Sequence, residues 1–183
     1  RAAVLSAQRP VVLLVDTFNA FFESDNAVSA LKVLKAGGYT AGVAIKTIAD
    51  DGRALCCGRT YLAAGMVHEA REKMRELVAE LLPFAQKGIP IVGLEPSCLL
   101  TLRDEALSMG LGEDAQLVAQ HALLLEEFLA REARAGKLEP LKAQLRALDR
   151  TVLLHGHCHQ KAFDAVTPIM EVLRLIPGVQ PQL

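Results

Sequence analysis

The stretch RPVVLLVDTFN, residues 9–19, decides how the rest of the chain is read. Its centre, VVLLV at 11–15, is a short apolar run with no polar alternation, the pattern of a strand buried on both faces. Strands of that kind belong to parallel sheets covered by helices, so the flanking sequence is expected to alternate helices with further apolar runs. Asp16, directly after the run, then falls at the carboxyl end of a strand.

Outward from this stretch the alternation continues. DNAVSALKVLKAGG at 25–38 sets Ala27, Ala30, Leu31 and Leu34 at helical spacing, with Asp25 or Asn26 to cap it and Gly37–Gly38 to end it. YTAGVAIK at 39–46 reads as a second strand, weakened by Gly42, and residues 67–88 as a long amphipathic helix closed by Gly88. IPIVGLEP at 89–96 reads as the third strand, followed by a helix with Ser97 as N-cap. Residues 114–135, rich in Ala, Leu and Glu, read as one helix. TVLLHG at 151–156 reads as the fourth strand, with a last helix over roughly 160–175 and the start of another strand at the end. The expected fold is α/β, a mostly parallel sheet with flanking helices in Rossmann-like layering.

Composition narrows the function classes. With 183 residues, 51% of them hydrophobic, the chain can bury a sizeable core. A net charge of −1, with Lys and Arg scattered among Asp and Glu, argues against a nucleic-acid partner. The apolar runs are too short to span a bilayer, so no transmembrane segment is expected. The chain opens without Met or a signal-peptide pattern and is expected to be a piece of a longer protein. Four cysteines do not make a disulfide framework, and reduced thiols point to the cytoplasm or the cytoplasmic face of a membrane.

The reactive residues fall at corresponding places. Asp16 follows the first strand, Cys56 and Cys57 the second, Cys98 the third, and His155, His157, Cys158 and His159 the fourth. In a parallel sheet all of these lie at the carboxyl edge, where ligands bind. A single buried cysteine is ordinarily core packing, but adjacent side chains diverge, and Cys56 and Cys57 cannot easily both point inward. Gly58 permits a sharp turn that lets both thiols face one side. In HGHCHQKA at 155–162, Cys158 is the favoured ligand, with His157 or His159 as an outer donor or occasional ligand.

CCG at 56–58, PSC followed by LRDE at 96–105, and HGHCHQKA at 155–162 together resemble the cysteine-rich CCG domain family. Within it the likeness is to the cysteine-rich region of FAD-linked 2-hydroxy-acid oxidases. Its type is that of the glycolate oxidase iron–sulfur subunit and of the C subunit of glycerol-3-phosphate dehydrogenase. The resemblance implies an electron-transfer module of a flavin-dependent oxidoreductase acting on a 2-hydroxy acid such as glycolate or D-lactate. It implies an iron–sulfur cluster in the parent protein, and FAD on a partner domain or subunit. It also implies metal ligation by Cys56, Cys57, Cys98 and Cys158, with Asp16, His157 and His159 as lesser candidates. Residues 1–147 would form a first CCG-type unit and 148–183 the beginning of a second, truncated one. Asp16 and Thr101 stand where the family's motif places cysteines, which leaves two other states open for this chain. One is zinc on the remaining thiols; the other is a metal-free structural or docking module. A thiol catalyst using Cys158 and a neighbouring His is a third reading.

Overall fold

The computed structural model describes residues 2–44 and 55–183. The chain runs α1 (Ala2–Leu5), β1 (Pro10–Leu14), α2 (Thr17–Phe21), α3 (Ser24–Ala36) and β2 (Thr40–Ala44). After residue 54 come α4 (Arg59–Ala63), α5 (Val67–Ala85), β3 (Ile91–Gly93), α6 (Pro96–Arg103), α7 (Glu105–Ser108), α8 (Gly112–His121) and β4 (Ala122–Leu124). The remainder is α9 (Leu125–Arg134), α10 (Glu139–Lys142), β5 (Arg150–Leu153), α11 (Cys158–Ala162), α12 (Thr167–Leu173) and β6 (Val179–Gln182). Residues 45–46 of the expected second strand and most of the loop before the cysteine pair lie outside the described residues.

The first four strands form one parallel sheet in the order β2-β1-β3-β4. Val12 lies opposite Gly42 on one side and Ile91 on the other, and Ile91 in turn opposite Ala122. The expected α/β fold is therefore observed. Alternation along the strands sorts the core into two layers. Val12, Leu14 and Ile91 pack with Met74, Leu77 and Leu81 of α5 and Leu99, Leu100 and Leu102 of α6. Val11, Leu13 and Val92 face the other way, against Leu34 of α3 and Phe128 of α9. Each such side chain removed from water contributes about 1.5–3 kcal/mol. Gly42 does not weaken β2: a Cβ there would sit 2.3 Å from Val4, so its bareness makes room for α1 on the sheet.

Three expectations are corrected. Residues 114–135 are not one helix, because Ala122–Leu124 pairs in parallel with β3 and splits it into α8 and α9. The strand at Arg150–Leu153 does not extend the main sheet; it pairs in parallel with β6 to make a separate two-stranded sheet. The final helix is likewise two, α11 and α12. α12 returns against the main body, with Val172 and Leu175 on the α3–α9 core layer.

Candidate functional site

The strand order reverses direction between β1 and β3, since β2 lies on one side of β1 while β3 and β4 lie on the other. That is the topological switch point, and the crevice beyond the carboxyl ends of these strands is the expected ligand position. The segments leaving β1 and β3 start the two helices that carry Asp16 and Cys98.

Asp16 caps α2. One carboxylate oxygen accepts from the Phe18 and Asn19 amides at 2.9 and 3.1 Å, and the other from the Asn19 side chain at 2.6 Å. Both oxygens of this buried residue are thus committed to starting the helix. At β3 the cap of α6 is Glu95, not Ser97: its carboxylate accepts from the Ser97 amide at 3.1 Å and hydroxyl at 2.6 Å. Pro96 at the first helical position explains the shift, because a proline there places the cap one residue earlier. Thr101 is fully buried and donates its hydroxyl to the Ser97 carbonyl at 2.7 Å.

The cysteines are placed by the turn that follows them. Gly58 has φ +79°, and a Cβ there would come 2.6 Å from the Ala70 carbonyl oxygen, so the chain turns directly against α5. Its amide donates to the Cys56 sulfur at 3.4 Å. Arg59 pairs with Glu105 at the start of α7, pinning the turn, while Arg103 reaches Glu127 of α9 at 2.7 Å. The arginine and glutamate of LRDE thus clamp two sides of the site.

Cys57 is buried and its thiol interacts with both Cys56 and Cys98, and the Thr17 hydroxyl lies close enough to Cys56 to influence it. Three of the four thiols therefore share one neighbourhood at the carboxyl edge. The bond to Cys57, reinforced by burial, raises the Cys56 thiol far above the usual range. For Cys57 the Cys56 bond acts downward, but the Cys98 bond and burial outweigh it and raise this thiol too. Both are neutral thiols as the fold stands, which argues against their use as nucleophiles.

Cys158 lies on its own element, exposed at the first position of α11. His157 caps the helix, with its Nδ1 accepting from the His159 amide at 3.1 Å and its Nε2 3.9 Å from Glu95. Gln160 completes the cap by accepting from the His157 amide at 3.0 Å, and its side-chain amide donates to Glu126 at the start of α9. Burial, offset in part by that bond, raises the Glu126 carboxyl above its ordinary value. Burial and the nearby Arg59 charge lower His159, whose Nδ1 is buried without a hydrogen-bond partner among the described residues. His155 is exposed, and His121 bonds the Leu117 carbonyl at 2.9 Å within its own helix.

Sequence reasoning missed Glu95, Arg59, Glu126 and Gln160. The signals were present: proline after Glu95, and the x-x-Gln spacing after His157 that marks a capping box.

The donor set suits a soft metal in kind, because thiolates are preferred ligands for zinc and iron–sulfur clusters. In arrangement it does not suffice. Among the described residues no group of three or more His, Cys, Asp or Glu is placed to hold a metal ion. Asp16 and Thr101 are engaged in their helices.

No family model matches the chain, and no solved structure matches it. The C subunit of anaerobic glycerol-3-phosphate dehydrogenase from Escherichia coli strain K12 is 32% identical over 132 residues, covering 68% of this chain and 31% of the relative. Its counterpart from the O157:H7 strain matches with the same figures. The chain thus spans about a third of the length of these curated relatives, and it is related to them.

Proposed function

Proceeding from this relationship to a dehydrogenase C subunit, we propose that the chain is an electron-transfer module of a flavin-dependent oxidoreductase. The observation that supports this most strongly is the neighbourhood of Cys56, Cys57 and Cys98, placed beside the switch point of a chain related to a dehydrogenase subunit. In this reading a flavin on a partner domain or subunit would supply the oxidising chemistry for the substrate, a 2-hydroxy acid of the glycolate or D-lactate class. The relative's name makes glycerol-3-phosphate the comparison substrate. The redox group of the intact oxidoreductase is an iron–sulfur cluster. Three gathered thiols do not make its ligand set, so residues beyond this arrangement complete it; Cys158 and His159 are the candidates on this chain. The chain's own part is to hold the thiols through the Gly58 turn and to shield them behind α5 and α6. Residues 1–147 form the unit that does this, residues 148–183 open a second one, and the assembly works in the cytoplasm. Among the described residues no helix is long and apolar enough to cross a membrane.

A second reading, a zinc-bound or metal-free docking module, is favoured by the commitment of Asp16 and Thr101 to helix hydrogen bonds. Elemental analysis and a visible spectrum of the intact oxidoreductase, purified without air, separate the two. Stoichiometric iron and sulfide, with absorbance that bleaches on adding glycolate, D-lactate or glycerol-3-phosphate, supports electron transfer. A colourless protein with zinc or no metal supports docking.

A further inference from the structure

α2 displays three phenylalanines to solvent beside the thiols. Phe18 is 53% exposed, Phe21 63% and Phe22 76%, and the rings of Phe18 and Phe22 lie 6.2 Å apart. The chain has six phenylalanines and no tryptophan, so half of its large aromatic rings of this type stand on one surface. With each ring worth about 150–250 Å² when covered, the three leave on the order of 350 Å² of aromatic surface in water. Apolar patches of that size on a monomer are commonly functional. The helix that carries them is held by the buried Asp16–Asn19 cap, so the ledge is preorganised and little is lost on binding.

Next to the ledge runs a groove of about 490 Å³ whose walls include Phe18, Leu94 and Leu125. Glu23, Glu95 and Glu126 also line it, and among its described residues there is no lysine or arginine. The partners seen for these carboxylates are neutral or weakly basic: Glu23 takes the Asn26 amide, Glu95 the Ser97 hydroxyl with His157 near, and Glu126 the Gln160 amide. An apolar ledge beside an acid-lined groove is complementary to a protein segment that pairs apolar side chains with a lysine or arginine. A second copy of this surface would set Glu23 and Asp25 against their own kind, and an anionic membrane would meet the same repulsion.

We propose that Phe18, Phe21 and Phe22 with the Glu23–Glu95–Glu126 groove form the docking surface for a partner protein segment of apolar and basic side chains. The inference rests on the electron-transfer reading, in which that partner is the flavin-carrying subunit. α2 begins at Thr17, beside the Cys56 thiol, so a partner seated on the ledge lies near the thiol neighbourhood.

The test measures the affinity of the full-length chain for the purified flavin-carrying subunit of its oxidoreductase. Phe21→Ser/Phe22→Ser is expected to weaken binding at least ten-fold with the unfolding midpoint unchanged. Glu23→Lys is expected to weaken it several-fold at low salt and less at high salt. Leu153→Ser, 80% exposed on the second sheet, is expected to bind as the unsubstituted chain does. Binding of the double variant within two-fold of the unsubstituted chain overturns the surface and leaves the electron-transfer reading standing. Failure of the unsubstituted chain to bind any flavin-carrying protein of the oxidoreductase contradicts that reading and the surface with it. Self-association, or binding to phosphatidylserine vesicles, that the double variant abolishes assigns the ledge to a different occupant and overturns the proposal.

Discussion

The two edges of the main sheet are built for different ends. At the amino edge, Arg9 donates to the Gly37 and Lys137 carbonyls at 2.9 Å each and lies 4.1 Å over the Tyr39 ring. Tyr39 donates to buried Glu132 at 2.8 Å, and Glu132 also meets Arg131 at 3.2 Å and Lys137 at 3.8 Å. Tyr39 packs edge-on against Phe128 at 5.0 Å. This knot joins the starts of β1 and β2 to the end of α9, and its polar groups answer one another. At the carboxyl edge the caps are equally well made, yet they carry what the fold does not use: neutral thiols, three exposed rings and, on α11 packed against α6, a His159 nitrogen with no hydrogen-bond partner among the described residues. A network closed on itself serves stability, while groups left open at a strand's carboxyl end serve binding and chemistry.

Gly58→Ala is the sharpest way to break the carboxyl edge. A left-handed non-glycine residue costs about 1–3 kcal/mol, and the contact with the Ala70 carbonyl adds to it, so a loss of about 2–4 kcal/mol is expected. Denaturant unfolding measures it, and thiol-labelling rates of Cys57 are expected to rise in the same variant. An unchanged labelling rate would mean that the turn does not hold the thiols.

Tyr39→Phe probes the amino edge with a smaller effect, about 1.5–2 kcal/mol for a bond to a charged acceptor. Burial, then the Glu132 bond and charge, raise the Tyr39 phenol from 10.0 to about 12. A raised acid favours the protonated fold, so its contribution is fully present below pH 10 and is lost as pH rises towards 12. Stability measured from about pH 9 to 12 is expected to fall over that window, and less steeply in Tyr39→Phe.

Asp16→Ala is expected to cost about 1–2 kcal/mol through the lost α2 cap. If Asp16 is only a cap, Asp16→Asn restores most of that stability and leaves the metal content of the intact oxidoreductase unchanged. Cys158→Ser comes last, within about 0.5 kcal/mol of the unsubstituted chain, because its thiol is exposed.

The same contrast governs what the amino-acid sequence discloses. VVLLV announced β1 and the parallel sheet because a strand covered on both faces has no polar alternation to blur it. The Gly58 turn was legible because adjacent cysteines need a glycine to face one side. β4 was not, since Ala122–Leu124 is three residues of helix-favouring type that become a strand only through pairing with β3. Arg150–Leu153 read correctly as a strand, but nothing local says that its partner is Val179–Gln182 rather than the main sheet. At the site, the resemblance pointed to the cysteines as metal ligands. Glu95 and Gln160 left local signals as helix caps, whereas Arg59 and Glu126 act through contacts between distant segments, which no spacing along one segment reveals.

The central claim is that Cys56, Cys57 and Cys98 form the redox-group side of an electron-transfer module. The most direct test is the low-temperature electron paramagnetic resonance spectrum of the intact oxidoreductase, purified without air and reduced, with and without Cys57→Ser. An iron–sulfur signal in the unsubstituted protein that is lost or shifted by Cys57→Ser is the predicted result. The same signal, unchanged in position and amplitude in the variant, would contradict it.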